Sequence, residues 1–61
     1  MQLESAHYLR LGDLVRHEGG RTGTVVESLA LYARVRWDEG GEEEVDQLDP
    51  RVTVTERAGR E

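Results

Sequence analysis

Apolar residues recur at every second position in short runs along this chain, and the runs stop at glycine or proline. Two blocks carry the pattern: G-D-L-V-R-H-E-G-G-R-T-G-T-V-V from Gly12 to Val26, and A-R-V-R-W-D-E-G-G-E-E-E-V from Ala33 to Val45. A period of two marks a strand with one buried face, and glycine marks the tight turns between strands. The pattern predicts a small all-β domain over residues 12–56, an irregular N-terminal segment over 1–11 and a flexible tail over 57–61. Glu4, Ser5 and Ala6 offer at most one helical turn.

The first strand is expected from Asp13 to Glu18, with Val15 and His17 on one face and Leu14 and Arg16 on the other. Gly19, Gly20 and Gly23 punctuate the next turn, and a second strand follows from Thr24 to about Leu29. Val25 and Val26 are neighbours and must point to opposite faces, which argues for a bulge or corner there. The third strand runs from Tyr32 to Trp37, with Ala33, Val35 and Trp37 inward. A three-residue loop of Glu39, Gly40 and Gly41 sets Val45 beside Val35 and Glu44 beside Arg36, which keeps charge off the core face. A fourth strand follows over Glu42 to Val45. Leu48 dips into the core from the next turn, Pro50 opens the last strand, and Val52 and Val54 point inward over Arg51 to Glu56.

The predicted core is therefore Val15, Val25, Val35, Trp37, Val45, Leu48, Val52 and Val54. Five strands around a valine-rich core with one large aromatic suit a five-stranded Src-homology-3-like barrel. Gly12, Asp13 and Val15, then Gly20, Gly23 and Val25, then Trp37, Asp38 and Gly40 resemble the KOW and Tudor-like group of small barrels. That resemblance covers most of residues 12–56 and implies a fold rather than an activity. In KOW barrels the loops around the glycine block often touch RNA or protein, which implies such a role for Arg16 and Arg21. A Tudor-type cage for methylated side chains needs about four aromatics. Tyr8, Tyr32 and Trp37 are the aromatics of this chain, and Trp37 is assigned to the core.

Composition narrows the chemistry. The chain has 61 residues, no cysteine and a formal net charge of −5. One domain is the limit, and neither a disulfide nor a thiolate zinc site reinforces it. Lysine, asparagine, isoleucine and phenylalanine are also absent, a pattern that AT-poor coding explains better than any structural demand. No apolar run reaches the roughly 20 residues of a membrane helix, and M-Q-L-E-S-A-H lacks the basic and apolar parts of a signal peptide. A cytoplasmic protein without membrane contact is the expectation.

Charge is unevenly placed: residues 38–49 hold seven carboxylates and no base, whereas the flanking segments each sum to +1. The acidic stretch lacks the spacing of a calcium loop and reads as a solvated hairpin that guards an edge. Arg34 and Arg36 share the outward face, with Arg16 and Arg21 near them, and form a candidate nucleic-acid surface. Cross-strand pairing with Glu42 and Glu44 is the competing use of those arginines. His7 and His17 lack companion metal ligands, and no nucleophile, base and pocket coincide. Neither catalysis nor a cofactor is expected.

Tyr8, Leu9, Leu11, Leu14, Val26, Leu31 and Tyr32 remain outside the core set. Leu14, Leu31 and Tyr32 are the candidate contacts for a partner. The leading expectation is a non-catalytic module that binds a protein, and the alternative is a KOW-like module on nucleic acid or a ribosome- or polymerase-associated assembly. A weak homodimer covering Leu9, Leu11, Leu14, Leu31 and Tyr32 is slightly favoured over a monomer, whose N-terminal segment would fold back over the same surface.

Overall fold

The computed structural model describes residues 8–58. They form one antiparallel sheet of five strands: β1 (Leu14–His17), β2 (Thr22–Ser28), β3 (Tyr32–Trp37), β4 (Glu42–Asp46) and β5 (Val52–Glu56). No helix occurs among the described residues. The order is β4-β3-β2-β1-β5: four strands meander, and the last crosses back to pair with the first. The sheet is not closed, so β4 and β5 are its edges and the expected barrel closure is not seen. The expected turn at Glu4 to Ala6 lies outside the described residues.

Two hairpins use the same turn. His17 N donates to Arg21 O at 2.8 Å and Gly20 N to His17 O at 2.7 Å; Trp37 N donates to Gly41 O and Gly40 N to Trp37 O, both at 2.9 Å. Each loop has three residues and ends on a glycine of positive φ, 105° at Gly20 and 120° at Gly40, where a side chain would clash with its own backbone. The second loop is therefore Asp38–Glu39–Gly40, one residue earlier than expected. Its register pairs Arg36 with Glu42, Arg34 with Glu44, Val35 with Glu43 and Ala33 with Val45. A shift of two residues leaves every side chain on its predicted face and changes only the partners.

Gly23 lies within β2 rather than in the turn before it. It faces Val15 on β1 and Trp37 on β3, and a Cβ there would come within 2.5 Å of Arg36 O and 3.0 Å of the indole. The glycine is needed because the tryptophan packs onto bare backbone. Register slips between Val25 and Glu27 against β3, at the position where two adjacent valines required it. A second slip separates Leu14 from Val15 against β5. Bulges of this kind bend a strand and add twist.

One face of the sheet carries the core: Val15, Val25, Ala33, Val35, Trp37 and Val45, with Val52 and Val54 half-buried against them. Leu9 joins this cluster at 2% exposure. Leu48, expected in the core, is 66% exposed. The alternation of β4 continues one step beyond the strand and turns Gln47 inward instead, while the Asp46 carboxylate accepts from Leu48 N at 2.8 Å and holds that leucine outside.

Two buried polar residues fasten the ends of the domain. Asp13, fully buried, accepts from Arg10 N at 3.0 Å, Ala58 N at 2.9 Å and the Arg57 guanidinium at 2.7 Å. The first two residues of the C-terminal tail are thus bonded to the entry of β1. Gln47 accepts from Leu9 N at 2.7 Å and donates toward Leu9 O, Ser28 Oγ and Leu29 O at 2.9–3.2 Å. Each amide group of the buried side chain has a partner, as burial of a polar group requires.

Candidate functional site

The outward face of the sheet holds three of the four predicted arginines, and two of those, Arg34 and Arg36, are paired with glutamates. Arg36 meets Glu42 through two bonds of 2.9 and 3.1 Å. Arg34 lies 3.4 Å from Glu44 and 3.6 Å from Glu27. Arg16 shares this face on β1, between Thr22 and Thr53, and carries no ion pair among the described residues. Arg21 does not join them. It crosses to the core side, where its guanidinium sits 4.2 Å above the Trp37 ring and reaches Glu43 at 3.4 Å and Glu39 at 4.0 Å.

Trp37 is consequently a core residue with a charged cover. His17 meets it edge-on at 6.0 Å and 87°, and its indole N–H donates to Glu43 at 3.1 Å. The pairing of Glu43 with Val35, which would set charge against the core, is relieved because the carboxylate turns to Arg21 and the indole. A cation over an aromatic face is worth about 0.5–2 kcal/mol, depending on exposure.

The apolar candidates separate. Leu14 lies opposite Thr24, and Thr24 lies opposite Arg36. Tyr32 is four residues further along β3, about 13 Å away along the strand. Leu31 instead faces a cleft of about 360 Å³ together with Tyr8, Ala30, Asp46, Gln47 and Leu48. Leu31 and Leu48 are its most exposed large apolar walls, at 78% and 66% exposure. Leu9, which the homodimer surface was to include, is buried in the core and does not serve it.

The buried Gln47 both lines the cleft and ties the segments around it together. Its amide holds Leu9 against the sheet, so the preceding Tyr8 is set beside the β2–β3 turn, and Arg57 donates to Tyr8 O at 2.7 Å from the other side. The turn after β4 is held in its own right. The guanidinium of Arg51 binds both Asp49 oxygens at 2.9 and 3.0 Å, and Arg51 N adds a bond of 2.9 Å. These bonds, the side-chain ones first, hold the Asp49 carboxyl below its ordinary value of 3.8.

Sequence reasoning assigned Leu31 to a partner surface but left out Leu48, which it placed in the core. The available signal was the parity of β4: Val45 inward requires Gln47 inward and Leu48 outward. Among the described residues no three metal-ligating side chains converge, and no helix is long and apolar enough to cross a membrane. No protein-family model, curated protein or solved structure matches the chain.

Proposed function

We propose that this chain is a non-catalytic interaction module whose partner is a protein, docked at the cleft between Tyr8, Leu31 and Leu48. The observation that carries this reading is the juxtaposition of two largely exposed leucines around a concave, mostly apolar lining. An apolar hollow of this kind on so small a surface favours contact with another apolar group. Nucleic acid is the less favoured ligand. Arg34 and Arg36 each face a glutamate, and a net charge of −5 opposes association with phosphate. The sheet itself is read as an opened relative of the KOW and Tudor-like barrels. The support is its two bulges, its one-sided core and the return of β5 to β1.

Immobilised wild-type protein and a Leu31→Asp/Leu48→Asp variant, exposed to extract of the source cell, test the reading. Both leucines are exposed, so the variant should keep its fold and its circular dichroism spectrum. A partner held by the wild type, lost by the variant and retained at high salt supports the cleft. Equal retention by both proteins, or capture abolished by nuclease, rejects it. Sedimentation of the free protein identifies the case in which the occupant is a second copy.

A further inference from the structure

The cleft lies at the end of β4, and β4 is an edge with no neighbouring strand on its outer side among the described residues. Two bonds fix which main-chain groups face outward. Trp37 N donates to Gly41 O and Gln47 N to Leu31 O, so residues 41, 43, 45 and 47 turn their peptide groups toward β3. Glu42, Glu44 and Asp46 present theirs to the open edge, where, among the described residues, only the Asp46 carbonyl is occupied, by Asp49 N at 3.0 Å. An edge of this kind is a template for another strand unless something guards it.

The guard here selects by charge. Each residue that offers its backbone is a carboxylate; Glu42 and Glu44 already pair with Arg36 and Arg34, yet residues 38–49 hold seven carboxylates and no base, so the edge keeps an acidic excess. A concavity lined by Arg34, Glu42, Glu43 and Glu44 lies against the same stretch. Asp46 lines the apolar cleft as well and has no ion pair among the described residues. Acidic strands are repelled from this edge, including β4 of a second copy. The β5 edge, V-T-V-T, brings no basic residue between its ends and does not complement the carboxylates.

Building on the reading of the cleft as a protein-docking site, we propose that the docking element of the partner is an extended basic segment. It adds alongside β4 as a further strand, sets Arg or Lys side chains opposite Glu42, Glu44 and Asp46, and seats an apolar side chain among Tyr8, Leu31 and Leu48. Main-chain bonds supply affinity in this mode and alternate side chains supply selectivity.

The probe is a short synthetic peptide that alternates arginine with valine and ends in leucine, with a glutamate-for-arginine peptide as control. The arginine peptide should bind, the glutamate peptide should not, and the amides of Glu42, Glu44 and Asp46 should gain protection from hydrogen exchange. Glu44→Pro keeps the fold, because its N–H faces outward, but blocks the added strand. It should weaken binding about tenfold or more, whereas Glu44→Gln, which keeps the backbone N–H and loses the charge together with its pairing to Arg34, should weaken it about two- to threefold. Equal binding of the two peptides, equal effects of the two variants, absent protection or no binding of the arginine peptide would each overturn strand addition. The cleft reading fails separately, when Leu31→Asp/Leu48→Asp still holds the partner captured from the cell.

Discussion

The two ends of the core are closed in different ways. At one end Trp37 covers Gly23 and is itself covered by Arg21, His17 and Glu43, all of them on strands or hairpins of the sheet. At the other end Leu9 comes from outside the sheet and is held by hydrogen bonds to a buried amide. The first end is stabilised chiefly by apolar area removed from water, about 25 cal/mol per Å². The second depends on polar groups that have exchanged water for one another, a net gain of about 1 kcal/mol per bond but a larger loss when one partner is removed. Burial tolerates small displacements, whereas a bonded clamp does not. It follows that the cleft, which adjoins the clamp, is the part of the surface whose shape depends on a few atoms.

The largest effect is expected at the tryptophan end. Trp37→Ala should cost about 3–5 kcal/mol, the range for truncating a buried aromatic. A domain this small has a margin of about that size, so the variant should be largely unfolded at 25 °C by near-ultraviolet circular dichroism. A folded variant would mean that the charged cover, not the indole, holds this end.

Asp13→Ala should come next, at about 2–4 kcal/mol. It leaves the N–H groups of Arg10 and Ala58 and the Arg57 guanidinium without their shared acceptor. Asp13→Asn keeps an acceptor for one backbone N–H and should recover about half of the loss. Denaturant melts of the pair decide it: equal stability of the alanine and asparagine variants would show that the carboxylate does not tie the termini together.

Gln47 sharpens the comparison because it acts on one end alone. Gln47→Leu fills the same space but strands Leu9 N, and should cost about 1–3 kcal/mol. Its signature is local: the Leu9 amide should exchange faster and Tyr8 should shift, while the Trp37 resonances stay in place. A uniform loss of protection across the sheet would mean that the two ends are not independent.

The strands and their inward faces were legible because period two survives the short runs, and the Val25–Val26 neighbours announced the bulge. The register of the second hairpin was not, since Gly40 and Gly41 both tolerate positive φ and two loops of equal length compete. Half of the cleft was legible, through Leu31. Leu48 was missed because an apolar residue was preferred for the core over a glutamine, and Asp13 was seen only as part of a glycine–aspartate pattern. Polar residues enter a core only when their partners are already in place, and those partners here are backbone atoms distant in sequence.

The smallest effect concerns Asp49 at the turn that bounds the cleft. Its carboxyl is held below 3.8 by the side-chain bonds and then the backbone N–H of Arg51, with His17 as a minor contributor. In the unfolded chain the group takes up its proton near the ordinary value, whereas the folded chain does so only at lower pH. The unfolded state therefore binds more protons between those two values, and stability falls as pH falls through that window. The contribution is fully present above about pH 5 and gone once the pH is below the folded value. Asp49→Asn keeps an oxygen for Arg51 N but removes the charge. The variant should be slightly less stable than wild type near neutral pH, and the gap should close on acidification below about pH 4. Because Arg51 is well exposed, solvent screens the pair and the gap should be the least of the four effects. Thermal melts of both proteins across that range test it, and a gap that stays constant to the lowest pH would place the role of Asp49 in the turn geometry rather than in its charge.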